Sequence, residues 1–210
     1  MGIWLFGVLL WGYAIGCLHG SVVAQKLSGV NLKETGVKNA GASNATIVLG
    51  KKFGALVALI DIGKGVVAVW LTGWAIEFAG LSAGSSTALL FLAGAAAVIG
   101  HIFPFHMGFD GGKGTATLIG ILLALDWKLG LIGLLLFIVV TCITDFIVFG
   151  VMALYVVLLF TAFWIGGVWE VGLAALLFFL AIWKHLENFK RLRNGQENRV
   201  SAVFKKKKTV

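Results

Sequence analysis

Residues 95–125 read AAAVIGHIFPFHMGFDGGKGTATLIGILLAL. An apolar run breaks at four glycines and a single lysine, Lys113, and a second apolar run follows at once. This is the pattern of a chain that leaves hydrocarbon, turns in polar surroundings and re-enters, because unpaired backbone polar groups are not tolerated in lipid. Glycines at the mouth of a helix expose its first N–H groups, which favour an anion. Lys113 adds a point charge suited to phosphate. The alternative is a lysine snorkelling to the interface among glycines that are common in membrane helices anyway. The stretch is not a Walker loop: Gly114 follows the lysine where Ser or Thr is required, and Met107 stands in place of the leading glycine. ATP chemistry therefore gains little support.

Composition agrees with a membrane solvent. Hydrophobic residues make up 60% of the chain and charged residues 12%, against roughly 25% charged in a soluble domain. The expected fold is all-α, a polytopic integral membrane protein. The opening MGIWLFGVLLWGYAIGCL has no basic residue ahead of its apolar run, so it reads as a first spanning helix rather than a cleavable leader. Cys17 and Cys142 lie in separate apolar segments and read as small hydrophobic residues. The four histidines are scattered and there is no CxxC, so no metal site is expected.

Apolar runs predict seven transmembrane helices near 3–24, 53–76, 87–104, 115–125, 129–146, 148–166 and 170–184. The fourth falls short of the ~20 residues a full span needs. Basic residues gather between the first and second runs (Lys26, Lys33, Lys38, Lys51, Lys52) and after the seventh (Lys184, Lys190, Arg191, Arg193, Arg199, Lys205 to Lys208). The opposite loops carry Glu77, Asp126, Lys128 and Glu170. The positive-inside rule then sets the N-terminus out and the C-terminus in. Trp4, Trp70, Trp74, Trp127, Trp164 and Trp169 fall at the outer interface, and the glycine–lysine loop falls inside. No internal repeat is visible, which leaves an inverted-repeat transporter without support. Residues 1–200 read as one helical bundle and 201–210 as a basic cytoplasmic tail seated on anionic headgroups.

Two further inner-side stretches carry candidate chemistry. GVKNAGASNAT (36–46) combines small residues with Asn39 and Asn44, which lets backbone N–H groups turn toward a ligand; the alternative is an ordinary polar loop. KHLENFKRLRNGQENR (184–199) places His185, Asn188 and Arg191 on one helical face, offering a titratable ring, an amide and a guanidinium; the alternative is a headgroup-binding juxtamembrane helix. Asp61 and Lys64 stand three apart inside the second run and read first as a structural ion pair, with substrate contact as the other reading. His101 reads as structural, and Pro104, the only proline, as the end of the third helix.

These motifs together resemble a known family. GHIFPFHMGFDGGKGTAT (100–117) is similar to the GH-x-FP…F-x-GGKG-x-AT motif of the bacterial acyl-phosphate:glycerol-3-phosphate acyltransferases, the PlsY family. NAGASNATIVLGKKFG with DIGKG resembles that family's asparagine–glycine block. HLENFKRLRNGQENR resembles its H-x-x-N-x-x-RL-x-x-G-x-E-x-R tail, and Gly20–Ser21 matches a Gly-Ser pair. The resemblance covers nearly the whole chain in order. It implies a seven-helix enzyme of the cell membrane, with its site on the cytoplasmic side. The reaction implied moves a fatty acyl group from acyl phosphate to the 1-hydroxyl of glycerol 3-phosphate, giving lysophosphatidic acid and phosphate. Acyl phosphate is a co-substrate, and no cofactor, metal, nucleic acid or obligatory protein partner is implied; membrane lipids are the surroundings. In that reading Lys113 and the Gly111, Gly112 and Gly114 amides hold the acyl phosphate. Ser21 and the loop with Asn39, Gly41 and Asn44 close the pocket, and His185, Asn188 and Arg191 hold the acceptor. Lys113, His185 and Ser21 would be catalytic, and the base is either His185 or the substrate's own phosphate.

Departures from the family pattern bear on the acceptor. Lys33 replaces an arginine and loses its bidentate fork. Val37–Lys38 replaces a Ser-Gly pair, and GSVVAQ lacks a following proline. TCITDF (141–146) stands where the family has a Thr-Arg-Tyr…Ser pattern, which places Asp145 near the serine. Asp145 there would repel an acceptor phosphate unless paired, with Lys33 or Lys38 as the available partners, and Asp145→Ser is expected to gain glycerol 3-phosphate affinity. The competing readings are a homologue with another acceptor, or a lipid-phosphate or anion binding or transport protein without activity. Polar residues crowd the inner side and leave the outer halves nearly bare, which argues against a transport path.

Overall fold

A computed structural model of the chain describes residues 2–204, and every regular element in that range is helical. The elements are α1 Gly2–Gly16, α2 Gly20–Ser28, α3 Ala42–Leu49, α4 Lys51–Phe78 and α5 Ala83–Ile102. A single 3-10 turn, Phe105–Met107, leads to α6 Thr115–Leu125, α7 Trp127–Thr144, α8 Ile147–Ile165, α9 Val168–Lys184, α10 Leu186–Arg193 and α11 Val200–Phe204. Among the described residues five segments are long and apolar enough to cross a membrane, or six if α9 and α10, bent by 45° at His185, count as one. The chain is therefore a multi-span helical membrane protein.

The seven expected runs are all helical, with two differences of kind. The first breaks into α1 and α2 at residues 17–19. The reason lies in α4. Lys64 Nζ donates to the carbonyls of Gly16 (2.8 Å) and Leu18 (2.6 Å), groups that a helix end leaves without partners. The Gly20 amide, opening α2, donates to Asp61 Oδ1 (3.3 Å). One ion pair, Lys64 Nζ to Asp61 Oδ1 at 3.2 Å, thus serves both sides of the break. The second difference is α6, whose eleven residues rise only ~16 Å, about half the ~30 Å hydrocarbon thickness. It is instead a buried strut: Leu118, Leu122 and Ile121 lie in the main core with Tyr155, Leu154 and Leu158 of α8.

Close packing carries this arrangement, because lipid offers little hydrophobic drive between helices. A Cβ on Gly120 would come within 2.0 Å of the Ile62 carbonyl, and one on Gly65 within 2.3 Å of the Thr117 carbonyl, so α4 and α6 touch backbone to backbone. Outward faces are apolar: Phe78 and Phe163 are exposed, as are Trp70, Trp74, Trp127, Trp164 and Trp169 of the expected interfacial belt. Asp126 caps α7 by accepting from the Lys128 and Leu129 amides. α5 stops two residues before Pro104, as expected.

Residues 201–204, the start of the expected tail, are helical. They form most of α11, which docks on the turn between α7 and α8. Lys205 to Lys208 lie outside the described residues.

Candidate active site

A cavity of about 1030 Å³ opens where α3, α4 and α6 begin and α9 gives way to α10. Its floor is apolar, from Ala58, Ile62 and Ile119 to Phe137, Ile147 and Val148 of α7 and α8. Its other walls are polar. Gly41, Ala42 and Ser43 bring the N-terminus of α3 to it, and Gly114, Thr115 and Ala116 bring that of α6. The first amides of both helices have no carbonyl behind them and carry the positive end of the helix dipole.

Lys113, Asn188, Glu197 and Arg191 form one hydrogen-bonded chain along the wall. Lys113 Nζ donates to Asn188 Oδ1. Asn188 Nδ2 donates to Glu197 Oε1 at 2.6 Å, and Arg191 Nε to Glu197 Oε2 at 2.7 Å. Burial, with the nearby Arg191 charge adding to it, pushes the Lys113 ammonium down to about 8. His185 sits in the joint between α9 and α10. Its Nδ1 lies 2.8 Å from the Ala181 carbonyl. A carbonyl can only accept, so Nδ1 carries the proton and Nε2 is left as a lone-pair acceptor, a proton-accepting tautomer beside the cavity.

Asn39, Gly41, Asn44, Gly114, Lys113, His185, Asn188 and Arg191 all line the cavity. Asn44 is nevertheless committed to its own loop. Its Oδ1 accepts from the Val37 amide (2.9 Å), and its Nδ2 donates to the Leu32, Thr35 and Asn39 carbonyls. It shapes the approach to α3 rather than offering a free donor.

Five other expected site residues lie elsewhere. The Gly111 and Gly112 amides donate to the Ile102 and His101 carbonyls (3.0 and 3.1 Å), closing the end of α5, and are not available to a phosphate. Glycine is required at 112 for proximity: a Cβ there would stand 2.1 Å from His101 Nε2. Ser21 is buried at the start of α2, off the cavity wall, with its Oγ unpartnered. Lys33 pairs with Asp110 Oδ2 at 3.0 Å and donates to the Met107 carbonyl, so it ties the first loop to the glycine loop. Asp145 also lies off the cavity wall. It pairs with neither Lys33 nor Lys38, but with Arg199 and Ser201. The expected repulsion of an acceptor phosphate, and the gain from Asp145→Ser, lose their basis.

Three residues of the wall went unassigned in the sequence. Glu197 stands in the tail motif as its glutamate, but no role was assigned to it. Lys38 lines the cavity with φ 53°, a left-handed conformation. That conformation accounts for a glycine in the family pattern at this place. Asp110 stands four residues after His106, and nothing in that spacing pointed to the cavity wall.

Among the described residues His19, Asp61 and His101 bring ligand atoms within 4.8 Å of one another, close enough to hold a metal ion. Lys64 Nζ stands among them, 2.7 Å from His101 Nδ1 and 3.2 Å from Asp61 Oδ1. An ammonium therefore already supplies the positive charge. The ion pair is structural, as first read, although Asp61 and His101 also reach the cavity wall.

Fold and site define a helical integral membrane protein with a polar, charge-lined cavity built at helix N-termini. The glycerol-3-phosphate acyltransferase family model matches residues 6–195. Glycerol-3-phosphate acyltransferase 1 of Oceanobacillus iheyensis is 42% identical over 198 residues, 94% of this chain and 96% of that protein. Glycerol-3-phosphate acyltransferase 2 of Thermotoga maritima is 36% identical over 98% of this chain and all of that one. The crystal structure of PlsY (YgiH), an integral membrane glycerol 3-phosphate acyltransferase, in its glycerol 3-phosphate form superposes with a TM-score of 0.82. It is 29% identical, over 96% of this chain and 99% of that one. Its lysophosphatidic acid form superposes with a TM-score of 0.80. The chain belongs to the glycerol-3-phosphate acyltransferase family, of the PlsY type.

Proposed function

We propose that this acyltransferase moves a fatty acyl group from acyl phosphate to the 1-hydroxyl of glycerol 3-phosphate, at the cytoplasmic face of the cell membrane. The observation that carries the reading is the Lys113–Asn188–Glu197–Arg191 chain facing two helix N-termini across one cavity with an apolar floor. Two phosphates must be held side by side against their repulsion, and cationic side chains with free amides are suited to that. The floor suits an acyl chain. The orientation proposed is N-terminus out and C-terminus in, with α6 and the bent α9–α10 unit completing seven membrane segments; the basic clusters then lie inside.

Acyl phosphate is a mixed anhydride and is already activated, so the residues need only position and neutralise. Lys113 and the α6 amides hold the acyl phosphate. Asn188 and Arg191, with the α3 amides opposite, hold the acceptor. His185 Nε2 takes the hydroxyl proton as the oxygen attacks the acyl carbon. The carbon–oxygen bond to phosphate then breaks, and Lys113 stabilises the departing phosphate.

Palmitoyl phosphate added to the purified protein, with and without glycerol 3-phosphate and beside Lys113→Ala, tests this. Phosphate release is expected to need both the acceptor and Lys113. Release that ignores glycerol 3-phosphate would replace the acceptor with water or another alcohol. No release from folded protein would remove the activity.

A further inference from the structure

Asp145 ends α7 in the left-handed conformation, φ 65°. Its Oδ1 accepts from the Ser201 amide at 2.7 Å, and its Oδ2 from the Ser201 hydroxyl at 2.7 Å. Arg199 Nη1 lies 3.5 Å from Oδ2, and its guanidinium sits 5.4 Å from the Phe146 ring centre. The Asp145 carbonyl accepts from the Val200 amide at 3.0 Å. Five contacts thus fasten residues 199–201 to the turn between α7 and α8. Bonds from the Ser201 amide and hydroxyl hold the carboxyl below the ordinary carboxylate range, so it stays an acceptor at neutral pH.

The fastened segment is the one that carries Glu197. At its other end the Gly195 and Gln196 amides donate to the Leu192 and Arg191 carbonyls. Glu197 is therefore slung between α10 and the Asp145 turn, and its carboxylate grips Asn188 and Arg191 together. A carboxylate held at both sides fixes the directions of the amide and the guanidinium before any substrate arrives, which is the function of a supporting shell around a binding site.

We propose that Asp145 is a positioning residue for the phosphate site, acting through the 199–201 segment and Glu197 on Asn188 and Arg191. The inference rests on the assignment of those two residues to the acceptor phosphate. It makes TCITDF a turn that anchors the 199–201 segment rather than one that touches substrate.

A double-mutant cycle with Asp145→Gly and Glu197→Gln tests it, read as KM for glycerol 3-phosphate against kcat. Glycine keeps the left-handed backbone and removes only the carboxylate. Asp145→Gly is expected to raise KM about fivefold with little change in kcat. The double variant is expected to be no worse than Glu197→Gln alone, since residues that act through one another are not additive. Asp145→Asn, which retains one acceptor, should recover part of the loss. Ser201→Ala, a milder cut at the same junction, should shift KM in the same direction and serves if Asp145→Gly does not fold. Unchanged KM in both Asp145→Gly and Ser201→Ala, or full additivity with Glu197→Gln, would overturn the proposal. Arg191→Ala separates the levels. If it raises KM while the Asp145 variants do not, only the positioning role falls; if it has no effect, the site assignment falls with it.

Discussion

Lys64 and Lys113 are both lysines close to glycines in a membrane protein, and they end in opposite situations. Lys64 is surrounded by acceptors: two carbonyls of the α1–α2 break, Asp61 and His101. Lys113 has the neutral Asn188 amide oxygen as its hydrogen-bond acceptor and faces a cavity. A buried charge whose partners are complete holds structure together. One whose nearest partner is neutral keeps a field for something that is not yet there. The difference lies in what the rest of the fold brings to each, and it separates their expected phenotypes.

The sharpest break in the comparison is Lys64→Met. It leaves Asp61 buried without its cation, at a cost of about 3–5 kcal/mol. Thermal unfolding in detergent should show a large drop in Tm, and Asp61→Leu added to it should restore part. If Lys64→Met melted like the parent while losing activity, the structural and functional roles of the two lysines would need exchanging. Lys113→Ala should do the reverse, with Tm near the parent and kcat/KM for acyl phosphate down about 100-fold, as for loss of a group that stabilises transition-state charge. Glu197→Gln comes next. A neutral amide cannot grip both Arg191 and Asn188 as the carboxylate does, and KM for glycerol 3-phosphate should rise about tenfold, in the range of a charge-assisted hydrogen bond. The smallest effect is in the pH profile. Lys113 in the free enzyme titrates at about 8, and binding needs the charged form. kcat/KM for acyl phosphate should therefore fall about twofold between pH 7 and 8, and more steeply above that. A profile flat to pH 10 would detach Lys113 from acyl phosphate binding.

Legibility in the sequence followed the same division. The seven apolar runs, the end of α5 before Pro104 and the stretches around Lys113 and His185 were readable because hydropathy and helical spacing are local properties. The Asp61–Lys64 pair was readable for the same reason, being three residues apart on one helix. The targets of hydrogen bonds were not. Gly111 and Gly112 looked like free donors in a glycine loop, yet the loop folds back and spends those amides on the end of α5. Asp145 looked like a charge beside the acceptor, yet its partners are more than fifty residues away in sequence. The break between α1 and α2 has no proline or charge to announce it, since its cause is a pair of side chains on α4.

The sequence by itself determined a helical membrane protein and most of the polar residue types that line its cavity. Composition and periodicity set how each segment meets its solvent, and that needs no knowledge of neighbours. Only the tertiary structure decided which polar groups were already satisfied. It assigned Lys64 to carbonyls, Gly112 to His101 and Asp145 to the tail, and it left Lys113 and the first amides of α3 and α6 facing the cavity. A hydrogen bond requires two groups within about 3 Å, and which groups meet at that distance is set by how the helices pack.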